Sequence, residues 1–421
     1  MKRIFVILVM LVSLNASSQW VHQYTGTTSS FHHIAFINKY TGWACGDGVI
    51  MKTTNSGTNW NTQSHQATDK FLWSIFPVDS NVVYCVGYFR TILKTTNSGN
   101  NWITIRNGPW GTGPSFLTAY FLNKDTGWIS GSGFTILRTL DGCNTFDSIL
   151  TNPSSFIYDI RFKDAMTGIM CGITGLIKKT SNSGFNWYDV NIPLHGVLSD
   201  FYKMSVYQNN FCFLAGGDGR IFSSSDFGSN WDSVGKIQNL GQNKLYCCNF
   251  VNRYTGWAGG EFGELHKTTD GGYSWRNENT NNDQTFNAAI WFYDTLNGWA
   301  AGGGGKILNT STGGTTSFIN PISAETPSSY SLSQNYPNPF NPTTNIKFSI
   351  VNSGDVKLVV YDIQGREVQT LVNESLKPGT YEAAFDGSAL NSGVYFYKLV
   401  VRHGGSSTGS FTETKKMLLI K

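Results

Sequence analysis

Residues 36–60 read FINKYTGWACGDGVIMKTTNSGTNW, and residues 250–275 read FVNRYTGWAGGEFGELHKTTDGGYSW. The two stretches share one pattern: an aromatic-ended run, TGW-x-x-G, then G-x-I-x-K-T, then an Asn/Asp-x-Gly turn and a closing aromatic. Copies recur at 76–102, 121–146, 162–187 and 206–231, with a worn copy at 292–318. The closing aromatic falls at Trp60, Trp102, Phe146, Trp187, Trp231 and Trp275, at spacings of 42, 44, 41, 44 and 44 residues. About one period earlier lies Trp20, a seventh such position. The slot that ends the first run also has seven members: Phe36, Phe76, Phe121, Phe162, Val206, Phe250 and Phe292. A period of roughly 40–45 residues holding four short strands is the mark of a propeller repeat. The expectation is an all-β chain whose residues 19–318 form a seven-bladed β-propeller. The innermost strand of each unit, for example 31–37, lines a central channel. The orphan strand at Trp20–Tyr24 pairs beside Lys306–Thr310 to close the ring; the alternative is that Phe318–Ile322 supplies that strand.

Composition agrees. Gly is 46 of 421 residues, charged residues are 14% and aromatics 14%. A disordered chain is poor in aromatics and rich in charge, and Gly is costly inside helices, so disorder and a mainly helical fold are both excluded. A net charge of +4 leaves no electrostatic footprint for nucleic acid.

The ends read differently. Residues 1–18 combine a basic start, an apolar run from Ile4 to Leu14 and small residues at Ala16 and Ser18, which is a secretory signal peptide cut before Gln19. No later run is long and apolar enough to span a membrane, so none is expected in the mature protein. Residues 319–329 read as a linker. Residues 330–421 alternate apolar and polar between Asp-Gly and Ser-Gly turns, which predicts a small Ig-like β-sandwich. Of the seven cysteines, Cys45 and Cys171 fill a small-residue slot of the repeat, and Cys247-Cys248 point to opposite faces of a strand. No disulfide framework emerges.

The turn has the form Ser/Thr-x-Asp/Asn-x-Gly-x-x-Trp, as in Thr53/Asn55/Gly57/Trp60 and Thr268/Asp270/Gly272/Trp275, with a weaker copy at Thr139/Asp141/Phe146 where Cys143 replaces Gly. Its logic is local: the Asx side chain accepts backbone N–H bonds and Gly takes positive φ. This turn resembles the Asp box of sialidase-like propellers. With TGW-x-x-G, the units are most similar to photosystem II assembly-factor-like repeats. In those relatives the box is structural and lies away from the substrate face, so the resemblance speaks to fold. Residues 330–421 closely resemble the type A C-terminal sorting domain of the type IX secretion system. The matching residues are Tyr336-Pro337-Asn338-Pro339-Phe340-Asn341-Pro342, Tyr361-Asp362, Gly365-Arg366-Glu367-Val368, Gly393-Val394-Tyr395-Phe396-Tyr397 and Lys416 to Lys421. This resemblance implies export through the periplasm and an outer-membrane translocon of a Gram-negative bacterium. The cargo is then secreted or held at the cell surface.

An enzyme is the weaker expectation. Sialidase-like relatives need an arginine triad, a Tyr–Glu pair and an Arg-Ile-Pro, and this chain has no Arg-Ile-Pro. A divergent sialidase-like or other glycoside hydrolase would need two carboxylates at working separation, whereas Asp47, Asp218 and Glu261 fall in three different units. Gly405-Ser406-Ser407-Thr408-Gly409 lacks the strand-to-helix context of a nucleophile elbow. Gly302–Gly305 before Lys306 is a strand-to-strand turn. His32 and His33 are adjacent on a strand and face opposite ways, so no metal site is expected, and no cofactor. The expected function is a binding module for a protein or glycan. Its candidate surface is the turns between second and third strands: Asp47, Tyr88, Phe89, Arg90, Phe134, Asp218, Arg220, Glu261 and Phe262. To these, loop 103–115 adds Arg106 and Trp110, and loop 188–199 adds His195. Exposed aromatics beside Arg suit an interaction hot spot.

Overall fold

The computed structural model describes residues 20–133, 135–150, 156–192, 200–237, 240, 244–278, 287–314, 319–323, 326–387, 390–402 and 411–421. The predicted signal peptide therefore lies outside the described residues, as do Phe134, His195 and the Gly405–Gly409 stretch. The chain divides into two compact units, residues 1–314 and 315–421.

In the first unit the repeats fold as seven four-stranded antiparallel sheets. Their first strands are Phe31–Phe36, Leu72–Pro77, Phe116–Phe121, Ile157–Phe162, Phe201–Tyr207, Leu245–Phe250 and Asn287–Phe292. Each first strand packs beside the next, and the seventh packs beside the first. The last sheet takes its outer strand from the start of the chain, because Val21, His22 and Gln23 pair with Asn309, Leu308 and Ile307. This is the pairing expected from the orphan Trp20 strand. The alternative fails: Ile319–Ser323, read from sequence as linker or closing strand, pairs instead with Gly379–Asp386 in the second unit.

The repeat residues show why this arrangement is stable. The TGW aromatic of one sheet stacks flat on the aromatic that ends the first strand of the next. Tyr84 lies on Phe121 at 3.8 Å, Trp128 on Phe162 at 3.5 Å, Phe213 on Phe250 at 3.6 Å and Trp257 on Phe292 at 3.5 Å. Trp299 of the last sheet lies on Phe36 of the first at 3.9 Å, so the stacking runs through the junction between chain ends. The closing aromatics meet the same rings edge-on: Trp60 on Phe36, Trp187 on Phe162, Trp275 on Phe250, and Trp20 on Phe292. Trp20 thus fills its inferred seventh position. Stacked and edge-on pairs add about 0.5–1.5 kcal/mol each beyond the area that they bury. The Gly of TGW is required by the same packing, since a β-carbon at Gly42, Gly127, Gly256 or Gly298 would overlap the Phe ring of its own sheet.

The turns close as their chemistry dictates. The Thr95 hydroxyl donates to Asn97 Oδ1 at 3.0 Å and accepts from the Gly99 N–H at 2.9 Å, while Asn97 Oδ1 also accepts from the Asn101 N–H. The same bonds recur at Thr53, Thr139, Thr180, Ser224 and Thr268. The worn copy keeps the hydroxyl bond, Gly314 N–H to Thr310, with Thr312 in the Asx slot.

All seven cysteines are buried free thiols. Burial pushes Cys143, Cys212, Cys247 and Cys248 up to about 12. As the slot argument expected, Cys45 and Cys171 are fully buried.

In the second unit, one sheet runs Ile319–Ser323, Gly379–Asp386, Thr343–Ile350, Ser331–Leu332. The other runs Glu367–Leu376, Gly354–Tyr361, Gly393–Arg402, Phe411–Leu419. Thr343–Ile350 alternates exposed and buried along its length, as a half-buried strand must. The inward residues of both sheets, among them Phe348, Leu358, Tyr397 and Met417, form one cluster. The Tyr397 hydroxyl donates to Ser333 O and accepts from the Asn335 N–H, which pins the segment before the Tyr-Pro-Asn-Pro run.

Candidate functional site

The first strand of every repeat breaks register with the second at the same place. The break lies between Phe31 and His33, Leu72 and Ser74, Phe116 and Thr118, Ile157 and Asp159, Phe201 and Met204, Leu245 and Cys247, and Asn287 and Ala289. A bulge leaves residues unpaired and re-aims their side chains; six of the breaks leave out one residue, and the fifth leaves out both Tyr202 and Lys203. The bulged residues include His32, Trp73, Tyr158, Tyr202 and Tyr246, and they meet across neighbouring sheets. His32 stacks on Trp73 at 4.3 Å, Tyr158 meets Tyr202 at 4.8 Å, and Tyr202 meets Tyr246 at 4.8 Å.

The turns that were singled out from sequence decorate this row of rings. Asp47 Oδ1 lies 2.6 Å from His32 Nε2. Glu261 accepts from the Tyr246 hydroxyl at 2.6 Å and from the Lys244 N–H at 3.1 Å. Asp200, which sequence reasoning passed over, accepts from the Tyr202 hydroxyl at 3.1 Å and the Thr174 N–H at 2.9 Å. Burial first, then the Asp200 carboxylate, push the Tyr202 hydroxyl well up; for Tyr246, burial and then its bond to Glu261 do the same. Both tyrosines are therefore protonated donors at neutral pH.

Tyr88, Phe89 and Trp110 do come together, around residues that were not foreseen. Trp73 is stacked between His32 and Tyr88. Phe71 meets Tyr88 and Trp110 edge-on. Trp110 is held on three sides: its Nε1 donates to Asp69 Oδ2 at 3.1 Å, its ring leans on Phe89 at 4.8 Å, and the buried Lys70 ammonium sits 5.5 Å from its centroid. Lys70 also donates to Asp69 at 2.8 Å. Trp110 is still 56% exposed, so it is a rigid ring with an open side. Phe89 and Arg90 occupy left-handed backbone at φ 56° and 62°, and Phe262 does so at 55°. Such conformations cost about 1 kcal/mol or more each outside Gly and gather at ligand sites.

Other expectations are corrected. Ile103–Arg106 is a strand and not part of a loop, and the Arg106 guanidinium lies over Phe146 at 4.4 Å, apart from this cluster. Asp218 and Arg220, both expected on the surface, pair with each other at 3.1 Å. His32 and His33 do not face opposite ways. The bulge turns both to the second sheet, His32 onto Trp73 and His33 Nδ1 to Ile75 O at 3.0 Å. Among the described residues no group of three or more His, Cys, Asp or Glu is placed to hold a metal ion. What sequence reasoning missed, namely His32, Trp73, Tyr158, Tyr202 and Tyr246, shares one signal: all stand second in the first strand of their repeat.

Comparison with known proteins follows the two units. A family model described as "Photosynthesis system II assembly factor YCF48" matches residues 12–113, and one described as "Secretion system C-terminal sorting domain" matches residues 334–412. The photosystem II stability/assembly factor HCF136, chloroplastic, of Guillardia theta is 27% identical over 227 residues, covering 52% of this chain and 51% of the relative. The chain spans about half or less of the length of the curated relatives it matches. Among solved structures, YCF48 bound to D1 peptide aligns with a TM-score of 0.58 at 19% identity, over 70% of this chain and 97% of that one. The GH74 xyloglucanase from Xanthomonas campestris aligns with a TM-score of 0.55 at 11% identity, over 79% and 59%. No helix among the described residues is long and apolar enough to cross a membrane. The chain is thus an all-β, propeller-like protein with repeats similar to those of the Ycf48 assembly factors, joined to a tail similar to secretion-system C-terminal sorting domains.

Proposed function

We propose that this chain is a secreted or cell-surface binding module. In this reading residues 19–318 are a seven-bladed β-propeller, 1–18 a signal peptide, and 330–421 an Ig-like sandwich read by the type IX secretion translocon. The ligand, a protein or a glycan, docks on the ring of bulged aromatics and the Tyr88–Arg90 and Trp110 turns. One observation carries this most: seven independent bulges fall at one level of the fold, and five of them carry an aromatic or imidazole ring. Rigid, half-exposed aromatics lose little entropy on binding, which is why they dominate hot spots. A peptide ligand is supported by the relative described as bound to a D1 peptide. The test is a glycan array and a pull-down from the organism's surface fraction with the mature chain, repeated with Trp110→Ala. A ligand retained in full by the variant sinks the assignment of the site. Deleting 330–421 should leave the protein inside the cell envelope, and unchanged export would sink the sorting role.

A second reading, a glycoside hydrolase, draws on the GH74 likeness. It needs two carboxylates about 5–10 Å apart facing a cleft. Asp47, Asp200, Asp218 and Glu261 are each bonded to a neighbour of their own, His32, Tyr202, Arg220 and Tyr246. Release of reducing sugar from xyloglucan, lost in Glu261→Gln, would favour this reading.

A further inference from the structure

Beside the first strands lies a cavity of about 310 Å³, lined among others by His33, Tyr120, Arg161, Lys203 and Asn249. Its charge does not balance. Asp159, fully buried, is the carboxylate that faces both Arg161 and Lys203, and its oxygens are already satisfied. Oδ1 takes the Thr118 hydroxyl at 3.0 Å, the Ile160 N–H at 3.1 Å and Arg161 at 3.0 Å, and Oδ2 takes the Met204 N–H at 3.0 Å. Lys203 Nζ stands 3.8 Å from Asp159, beyond hydrogen-bond reach, and its side chain is only 16% exposed. His33 adds no charge, because burial, then Lys203 and Arg161, hold its pKa well below the ordinary value. Among the described residues, two cations and one carboxylate leave one positive charge over. Burying two cations against a single shared carboxylate is costly, and the cavity has room for a small group to supply a second negative charge. Asn249 gives its Oδ1 to the Phe292 N–H, which leaves its NH₂ as a further donor.

We propose that this cavity is a binding site for one carboxylate, held by Lys203 and Arg161. A monoanion is favoured over a phosphate dianion, since the first neutralises the excess and the second would reverse it. This site is separate from the aromatic ring and stands or falls without the reading given above. The carboxylate comes either from a free small acid or from an acidic side chain of a bound peptide.

The test is calorimetric titration of the full chain at low ionic strength with sodium acetate, with inorganic phosphate and with the peptide acetyl-Gly-Asp-Gly-amide. Acetate should bind one to one, weaken at least about tenfold in Lys203→Met and stay within about threefold in Lys203→Arg. Tighter binding of the peptide, competed by acetate, assigns the peptide source; acetate binding with no peptide binding assigns a free acid. Should Lys203→Met fail to melt cooperatively, protection of Lys203 by acetate from amine-reactive labelling in the unmodified chain gives the same readout. Neither acetate nor peptide binding, affinity unchanged in Lys203→Met, no protection of Lys203, or phosphate binding more tightly than acetate overturns the proposal.

Discussion

The two ends of the repeat sheets have diverged to different degrees. At one end, six turns carry the same hydroxyl–Asx bond set, and the seventh keeps the hydroxyl bond. At the other end, the seven bulges hold His32, Trp73, Leu117, Tyr158, Tyr202 with Lys203, Tyr246 and Ala288, residues that range from Ala and Leu to His, Tyr and Trp. The first end needs the same thing seven times, because each turn must close one hairpin. The second has no such common duty, so its residues are free to answer to a ligand. Uniformity inside a repeat protein marks structure, and departure from it at a shared backbone position marks the place to look for binding.

That contrast can be broken most forcefully in the stacked layer that serves both ends. Trp257→Ala removes a fully buried ring that lies flat on Phe292. The expected loss is about 3–5 kcal/mol in denaturant unfolding. A loss under about 1 kcal/mol would show that stacking between sheets is incidental. Next comes the turn end: Thr95→Ala strands the buried Gly99 N–H, at an expected cost of about 1–3 kcal/mol. An equal cost from Thr180→Ala would sharpen the claim that the turns are equivalent.

Acid probes the same end. Burial opposes ionisation of Asp226, but bonds from the Asn230 N–H and side chain, from Ser224 and from the Ser229 N–H win, and hold its pKa down to about 2. A depressed folded-state carboxylate stabilises above its unfolded pKa, about 4, and stops doing so as the pH falls through its folded one. The stability advantage over Asp226→Asn should therefore be full at pH 5 and gone below about pH 2. An advantage that does not change across this range contradicts the assignment. The bulge end should respond least in stability and most in binding. Trp110→Ala is expected to change unfolding by about 1 kcal/mol or less, while weakening a captured ligand by about 2 kcal/mol or more. The reverse ranking would make Trp110 a structural residue. Smallest of all, the seven thiols should resist alkylation in the native chain, because sulfur buried away from solvent is out of reach of the reagent; rapid labelling of Cys143 would show that its turn opens.

Much of this was legible in the residues. The period, the seven closing aromatics including Trp20, and the hydroxyl–Asx turns were readable because each depends on contacts within a few residues or on strict repetition. The site was readable only in part. Tyr88, Phe89 and Trp110 are legible as aromatics in turns, whereas nothing in the sequence sets Trp73 and the three tyrosines apart from other strand residues. The bulge that re-aims them comes from backbone geometry, and no residue type in the first strand signals it. Arg106 shows the converse: the Gly- and Pro-rich run 107–115 makes the whole of 103–115 look like loop, although its first four residues complete a sheet.

The sequence alone determined the unit, its number of copies, and the change of character near residue 319, since these follow from local turn chemistry and hydrophobic spacing. Only the tertiary structure decided that Val21–Gln23 completes the last sheet, and that Ile319–Ser323 joins the second unit. It also decided which rings and charges gather beside the first strands. Those outcomes join residues as far as 288 positions apart, as Val21 and Asn309 are. Pairing at that distance is settled by which unsatisfied strand edge and which buried face remain when every local hairpin has closed.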